Sequence, residues 1–163
     1  KEDSIYVGNI ISGWASRYLE IPSKKSIKTN HQVAVSIGNE GYTSEVVSGK
    51  HFMIADEPES IGGNDFGPSP YEFVSAGLGA CTAITLRMYA DRKEWDLEQV
   101  IVHVNHDKID SEEENKKIDM FVRDIQFFGN LEEKQIKRLL QIADKCPVHR
   151  TLHNSSVIKT NLK

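Results

Sequence analysis

Three side chains in this sequence have the chemistry to react: Cys81, Cys146 and His149. A thiol acts as nucleophile, metal ligand or redox couple only as its thiolate, so its neighbours decide what it does. Taken alone, Cys81 reads first as a small core residue, because free cysteine is among the most buried residue types. It falls about three turns into a helix, beyond the reach of the N-terminal dipole. A reactive thiolate there needs a cation or donor from another segment. Arg87, six residues on, points about 240° round the helix. Cys146 differs: Pro147, His149 and Arg150 follow it at a helix end, where an accessible thiol fits. Cys146, His149 and His153 have the spacing of half a metal site without a matching half. His103 and His106 on a strand face opposite sides, so no metal set is expected. Cys81 with His149 as a hydrolase pair finds no identifiable acid partner or oxyanion segment.

The element that must position Cys81 announces its own start. Ser69 can cap, Pro70 suits the first helical position, and Glu72 stands three after Ser69 to close a capping box. Val74, Gly77, Leu78, Cys81, Ile84, Thr85 and Met88 then recur at helical spacing, which predicts one buried stripe. Gly77, Gly79, Ala76, Ala80 and Ala83 add a face with almost no side-chain bulk, open to a close approach by another backbone.

Around this helix, residues 1–20 read as an amphipathic helix with Ser4 as cap, and residues 22–30 as a polar connector. From Gln32 the period becomes two. Runs at 33–37, 43–48 and 51–55, divided by turns at 38–41 and at Gly49-Lys50, predict a three-stranded antiparallel meander. A loop over 56–68 leads into the central helix, and loops of that length are often functional. Strands are expected at 97–106 and 118–128, with a solvated charged tip at 110–117 between them. Asn130 and Glu133 suggest a capping box for a helix through Lys145, which Cys146-Pro147 ends. A short turn or helix at 148–153 and a last strand at 155–162 complete the chain. Strands in consecutive groups make the class α+β with mostly antiparallel pairing, divided as 1–29, a helix and linker, and 30–163, the main domain.

Composition narrows the partners. With 163 residues the chain can bury a real core, and a net charge of −4 with mixed signs gives no basic footprint for nucleic acid or membrane. No apolar run approaches the roughly 20 residues that span a bilayer, and no signal-peptide pattern opens the chain. The expected home is cytoplasmic. Two cysteines are too few for a secreted disulfide framework.

Gly67-Pro68-Ser69-Pro70, the helix reaching Gly77-Leu78-Gly79-Ala80-Cys81-Thr82, and Ala143-Asp144-Lys145-Cys146-Pro147-Val148-His149 together resemble the OsmC/Ohr family, the osmotically inducible and organic hydroperoxide resistance proteins. The wording from Cys146 to Leu152 is most similar to the subgroup fused behind an α/β-hydrolase-like domain, which would make residues 1–20 a remnant or linker helix. The resemblance implies an intertwined homodimer with the long helices packed centrally and sheets shared between chains. It also implies a thiol-dependent peroxidase without a cofactor. Cys81 would attack an organic hydroperoxide and become a sulfenic acid, Cys146 would resolve it as a disulfide, and an external dithiol or redoxin would reduce that bond. Peroxidase members place a glutamate directly after the helix-starting proline, where this chain has Tyr71, with Glu72 one position on. Their activating arginine comes from an N-terminal loop, and residues 32–68 contain none. His149 and Arg150 stand as substitutes, with Glu72 as a further supporting residue. The alternative is a non-catalytic dimer whose cleft binds an apolar small molecule.

Overall fold

The structure is a computed structural model that describes residues 27–39, 41–111 and 116–162. The expected N-terminal helix lies outside the described residues, as does most of the charged tip. The meander forms as read: β1 (Val33–Ile37), β2 (Ser44–Ser48) and β3 (His51–Ala55) pair antiparallel in that order. Val46 in the middle strand lies opposite Val35 and Met53 and is the buried residue of this sheet. β4 (Gln99–Asp110) and β5 (Lys117–Phe128) form a separate antiparallel ribbon. Its register pairs Val100 with Phe127, Val102 with Ile125, Val104 with Arg123 and His106 with Phe121. Because side chains alternate along a strand, those eight residues share one face.

The long helix α1 (Pro70–Arg92) begins as expected: Ser69 caps it, Pro70 opens it, and the reciprocal bonds of the capping box are present, Glu72 N–H to Ser69 Oγ at 3.4 Å and Ser69 N–H to Glu72 Oε2 at 2.7 Å. Its length and apolarity would by composition alone suit a bilayer-spanning helix, contrary to the sequence reading. Here one side packs on β4 and on the helices that follow. The buried side is not the predicted stripe. Leu78, Thr82, Leu86 and Ala90 are buried, Cys81 and Thr85 are partly covered, and Val74, Ile84 and Met88 are exposed, the last two by 59% and 67%. Apolar and small residues occur on every side of this helix, so a period of 3.6 could not select the side that meets the ribbon.

Helix α2 (Glu133–Ala143) is capped by Glu132, with Gln135 completing the box, in place of the expected Asn130 and Glu133. It supplies Leu139, Ile142 and Ala143 to a core shared with Leu86, Ala90 and Leu97. Helix α3 (Pro147–His153) follows directly. The expected last strand is absent: residues 155–162 run without a ladder partner, and Val157 and Ile158 are 86% and 88% exposed. A strand exists only by pairing, and this segment pairs with none of the described strands.

The loop between β3 and α1 is held by Asp56. Its buried carboxylate accepts from Thr43 Oγ1 at 2.8 Å, Glu57 N–H at 2.8 Å and Phe66 N–H at 3.4 Å. Burial pushes this carboxyl up, yet those donors prevail and hold it below the usual range. Gly67 lets the loop close, because a Cβ there would collide with the Ile54 carbonyl.

Candidate functional site

Three elements converge on the two thiols. Cys81 lies mid-helix on α1, while Cys146 is the residue from which α3 starts, so that the packing of α3 against α1 brings the sulfurs together. The two thiols lie close enough for each to shift the other's titration, and both are free. Cys146 is fully buried and Cys81 partly exposed, which leaves Cys81 as the sulfur that a reagent can reach.

Their environments pull in opposite directions. Burial pushes the Cys81 thiol up and the Cys146 sulfur adds to this, against weaker help from the Val148 N–H and the Thr85 hydroxyl. Burial also pushes Cys146 up, but the Cys81 thiol, the His149 N–H, the Thr82 hydroxyl and the Val148 N–H outweigh it, and the net direction is down. The two thiols therefore titrate as a coupled pair, and the first negative charge is shared between the two sulfurs.

Above the thiols stands Arg123, which sequence reading missed. Its Nη1 donates to Thr82 Oγ1 and to the Ala143 carbonyl, both at 3.0 Å, and its Nη2 to Asp144 Oδ1 at 2.8 Å and His149 Nδ1 at 2.9 Å. A guanidinium only donates, so His149 Nδ1 accepts and its ring proton sits on Nε2. Burial lowers the His149 pKa, and the Arg123 charge lowers it further against the opposing pull of Asp144. The signal was in the register: Phe121, Ile125 and Phe127 fix the inward face of β5, and Arg123 falls on it.

The other predicted site residues lie apart or outside. Glu72 is tied into the start of α1, nine residues and so about 13 Å of helix axis before Cys81. The Arg150 side chain is exposed, and its N–H bonds the Cys146 carbonyl at 3.2 Å. Tyr71, standing where peroxidase members carry glutamate, stacks on His106 with ring centroids 4.0 Å apart, and His106 Nε2 meets Asp119 Oδ1 at 2.9 Å.

Two hollows adjoin these residues. A pocket of about 190 Å³ is lined by Leu78, Asp119, Phe121, Arg123, His149, Leu152 and His153. A larger groove of about 670 Å³ runs between the loop, the first turns of α1 and β4, past Tyr71, Gly79, Ala80 and Val104. Neither hollow is lined by either cysteine.

A small α+β protein whose long central helix brings one cysteine against another at the start of a short helix is the class defined here. The chain belongs to the OsmC-like protein family, whose pattern it matches over residues 62–161. Solved structures share the fold. A Psychrobacter arcticus protein described in terms of osmotic stress and detoxification superposes with a TM-score of 0.64 at 18% identity, covering 78% of this chain and 92% of that one. An OsmC-like protein from Mycoplasma pneumoniae gives 0.63 at 16% identity over 78% and 89%. An organic hydroperoxide resistance protein OsmC from Legionella pneumophila gives 0.57 at 19% identity over 77% and 91%. No curated protein matches the chain.

Proposed function

We propose that this chain is a thiol-dependent peroxidase for organic hydroperoxides, with Cys81 as the attacking sulfur and Cys146 as its resolving partner. The observation that carries this reading is a pair of free thiols close enough to shift each other's titration, one partly exposed and one buried with donors around it. Family membership and the likeness to a protein named for organic hydroperoxide resistance support it.

The chemistry follows from the shared charge. The proton of Cys81 moves to Cys146, and the Cys81 thiolate attacks the terminal oxygen of ROOH. A sulfur–oxygen bond forms, the O–O bond breaks, and the departing alkoxide takes the proton now on Cys146 to leave as ROH. The Cys146 thiolate then attacks the Cys81 sulfenic sulfur and expels hydroxide, which takes a solvent proton to become water. An external dithiol restores both thiols as it becomes a disulfide. In a reducing cytoplasm the resting pair stays open.

The test is consumption of cumene or tert-butyl hydroperoxide in the presence of dithiothreitol. Steady loss of peroxide with one dithiol oxidised per peroxide supports the reading, and no consumption above the protein-free rate removes it. In the second reading, the chain binds an apolar small molecule without reacting. The separation of the larger groove from both cysteines favours it.

The family resemblance also leads us to propose an intertwined homodimer. The exposed Val74, Ile84 and Met88 on α1 and the open space over Gly77 give a second helix a surface, and residues 155–162, which pair with none of the described strands, are free to add to a sheet of another chain. Sedimentation at micromolar concentration is expected to give twice 18.4 kDa. A single species at that monomer mass would overturn the dimer.

A further inference from the structure

We propose that Arg123 is a positioning residue that holds Cys146 within disulfide-forming reach of Cys81. It deepens the peroxidase reading, yet its test need not pass through peroxide. One planar group straddles the two segments that carry sulfur. Thr82, bonded through its hydroxyl, directly follows Cys81, while Ala143 and His149 lie three residues to either side of Cys146. The side chain is only 12% exposed, so four acceptors with little water around them fix its orientation. It also sits at the C-terminal end of α2, where a cation is favoured by the unpaired carbonyls.

The need for such a clamp is geometric. A disulfide requires Cβ atoms about 3.5–4.5 Å apart and a defined dihedral. Cys146 lies in a corner, between the last turn of α2 and the first of α3, where its N–H reaches the Ala143 carbonyl at 3.3 Å and its own carbonyl accepts from the Arg150 N–H at 3.2 Å. The Arg123 guanidinium bonds on both sides of that corner and ties it to α1. Lysine, a point charge without the fork, cannot make these bonds together.

The quantity to measure is the equilibrium of the Cys81–Cys146 disulfide against a buffer of reduced and oxidised dithiothreitol. There the two protein thiols give two electrons and two protons to the oxidised reagent, which becomes the dithiol. Arg123→Met and Arg123→Lys are each expected to lower the disulfide-forming constant by about tenfold or more, the scale of a misplacement near 1 Å. Circular dichroism should be unchanged. Equal constants in wild type and Arg123→Lys would overturn the proposal, and that variant carries the test alone should Arg123→Met fail to fold. Failure of the peroxidase reading registers separately, as wild-type protein that closes its disulfide in this buffer but consumes no hydroperoxide. Where peroxide is consumed, the variants should also accumulate Cys81 sulfinic acid by intact mass, because slower resolution leaves the sulfenic acid exposed to further oxidation.

Discussion

Cys81→Ser protein is expected to consume organic hydroperoxide at least about 10³-fold more slowly than wild type, the scale on which loss of a nucleophile acts. A serine hydroxyl at neutral pH is almost wholly protonated and cannot accept the proton arrangement that the thiol pair provides. Cys146→Ser protein should behave differently. Its first turnover survives in part, because the reachable sulfur remains, but no intramolecular disulfide can form and Cys81 proceeds to sulfinic acid. The Cys146 sulfur also pushes the Cys81 thiol up, so its loss should shift the first turnover to lower pH. Stopped-flow peroxide consumption and intact mass of the two variants make the comparison. Wild-type activity in Cys81→Ser protein would end the assignment. The opposite ordering, with Cys146→Ser inert and Cys81→Ser competent for one turnover, would exchange the roles of the two sulfurs.

Leu139→Ala should destabilise the fold by about 2–5 kcal/mol, the range for deleting a buried leucine side chain. Leu139 is fully buried on α2 against the cluster of Leu86, Ala90, Leu97, Ile142 and Ala143, so that no solvent-side relaxation fills the space it leaves. Against a typical total of about 5–15 kcal/mol, that is a large fraction. Urea unfolding followed by circular dichroism gives the value, and a loss below about 1 kcal/mol would mean that α2 is not the lid of this core. The same helix carries the Ala143 carbonyl and Asp144 to Arg123, so a loosened α2 should also weaken closure of the disulfide.

What could be read from the sequence was local. The capping box of Ser69 and Glu72 lies within four residues, and the meander follows from alternation and turns that need no knowledge of the rest of the chain. The meeting of Cys81 with Cys146 came from resemblance, since nothing in their separate surroundings foretells it. Errors arose where a decision depended on a distant partner. The buried side of α1 is set by where the ribbon lies, and Ile84 and Met88 fell on the other side. The helix after β5 is capped by Glu132 with Gln135, although Asn130 and Glu133 have the same spacing, so local spacing alone could not choose between the two starts. Residues 155–162 alternate like a strand but pair with none of the described strands. Nothing in the residue type of Arg123 marks it as inward; its place on the same strand face as Phe121 and Ile125 is what turns it in.

The Asp56 knot has a consequence for the broad groove that it borders. Three donors converging on one carboxylate keep a segment without strand or long helix in a single shape, and the Pro58, Asp65 and Gly67 margin of the groove belongs to that segment. A guest entering there meets masonry already standing, and none of its affinity is spent on stilling a restless wall.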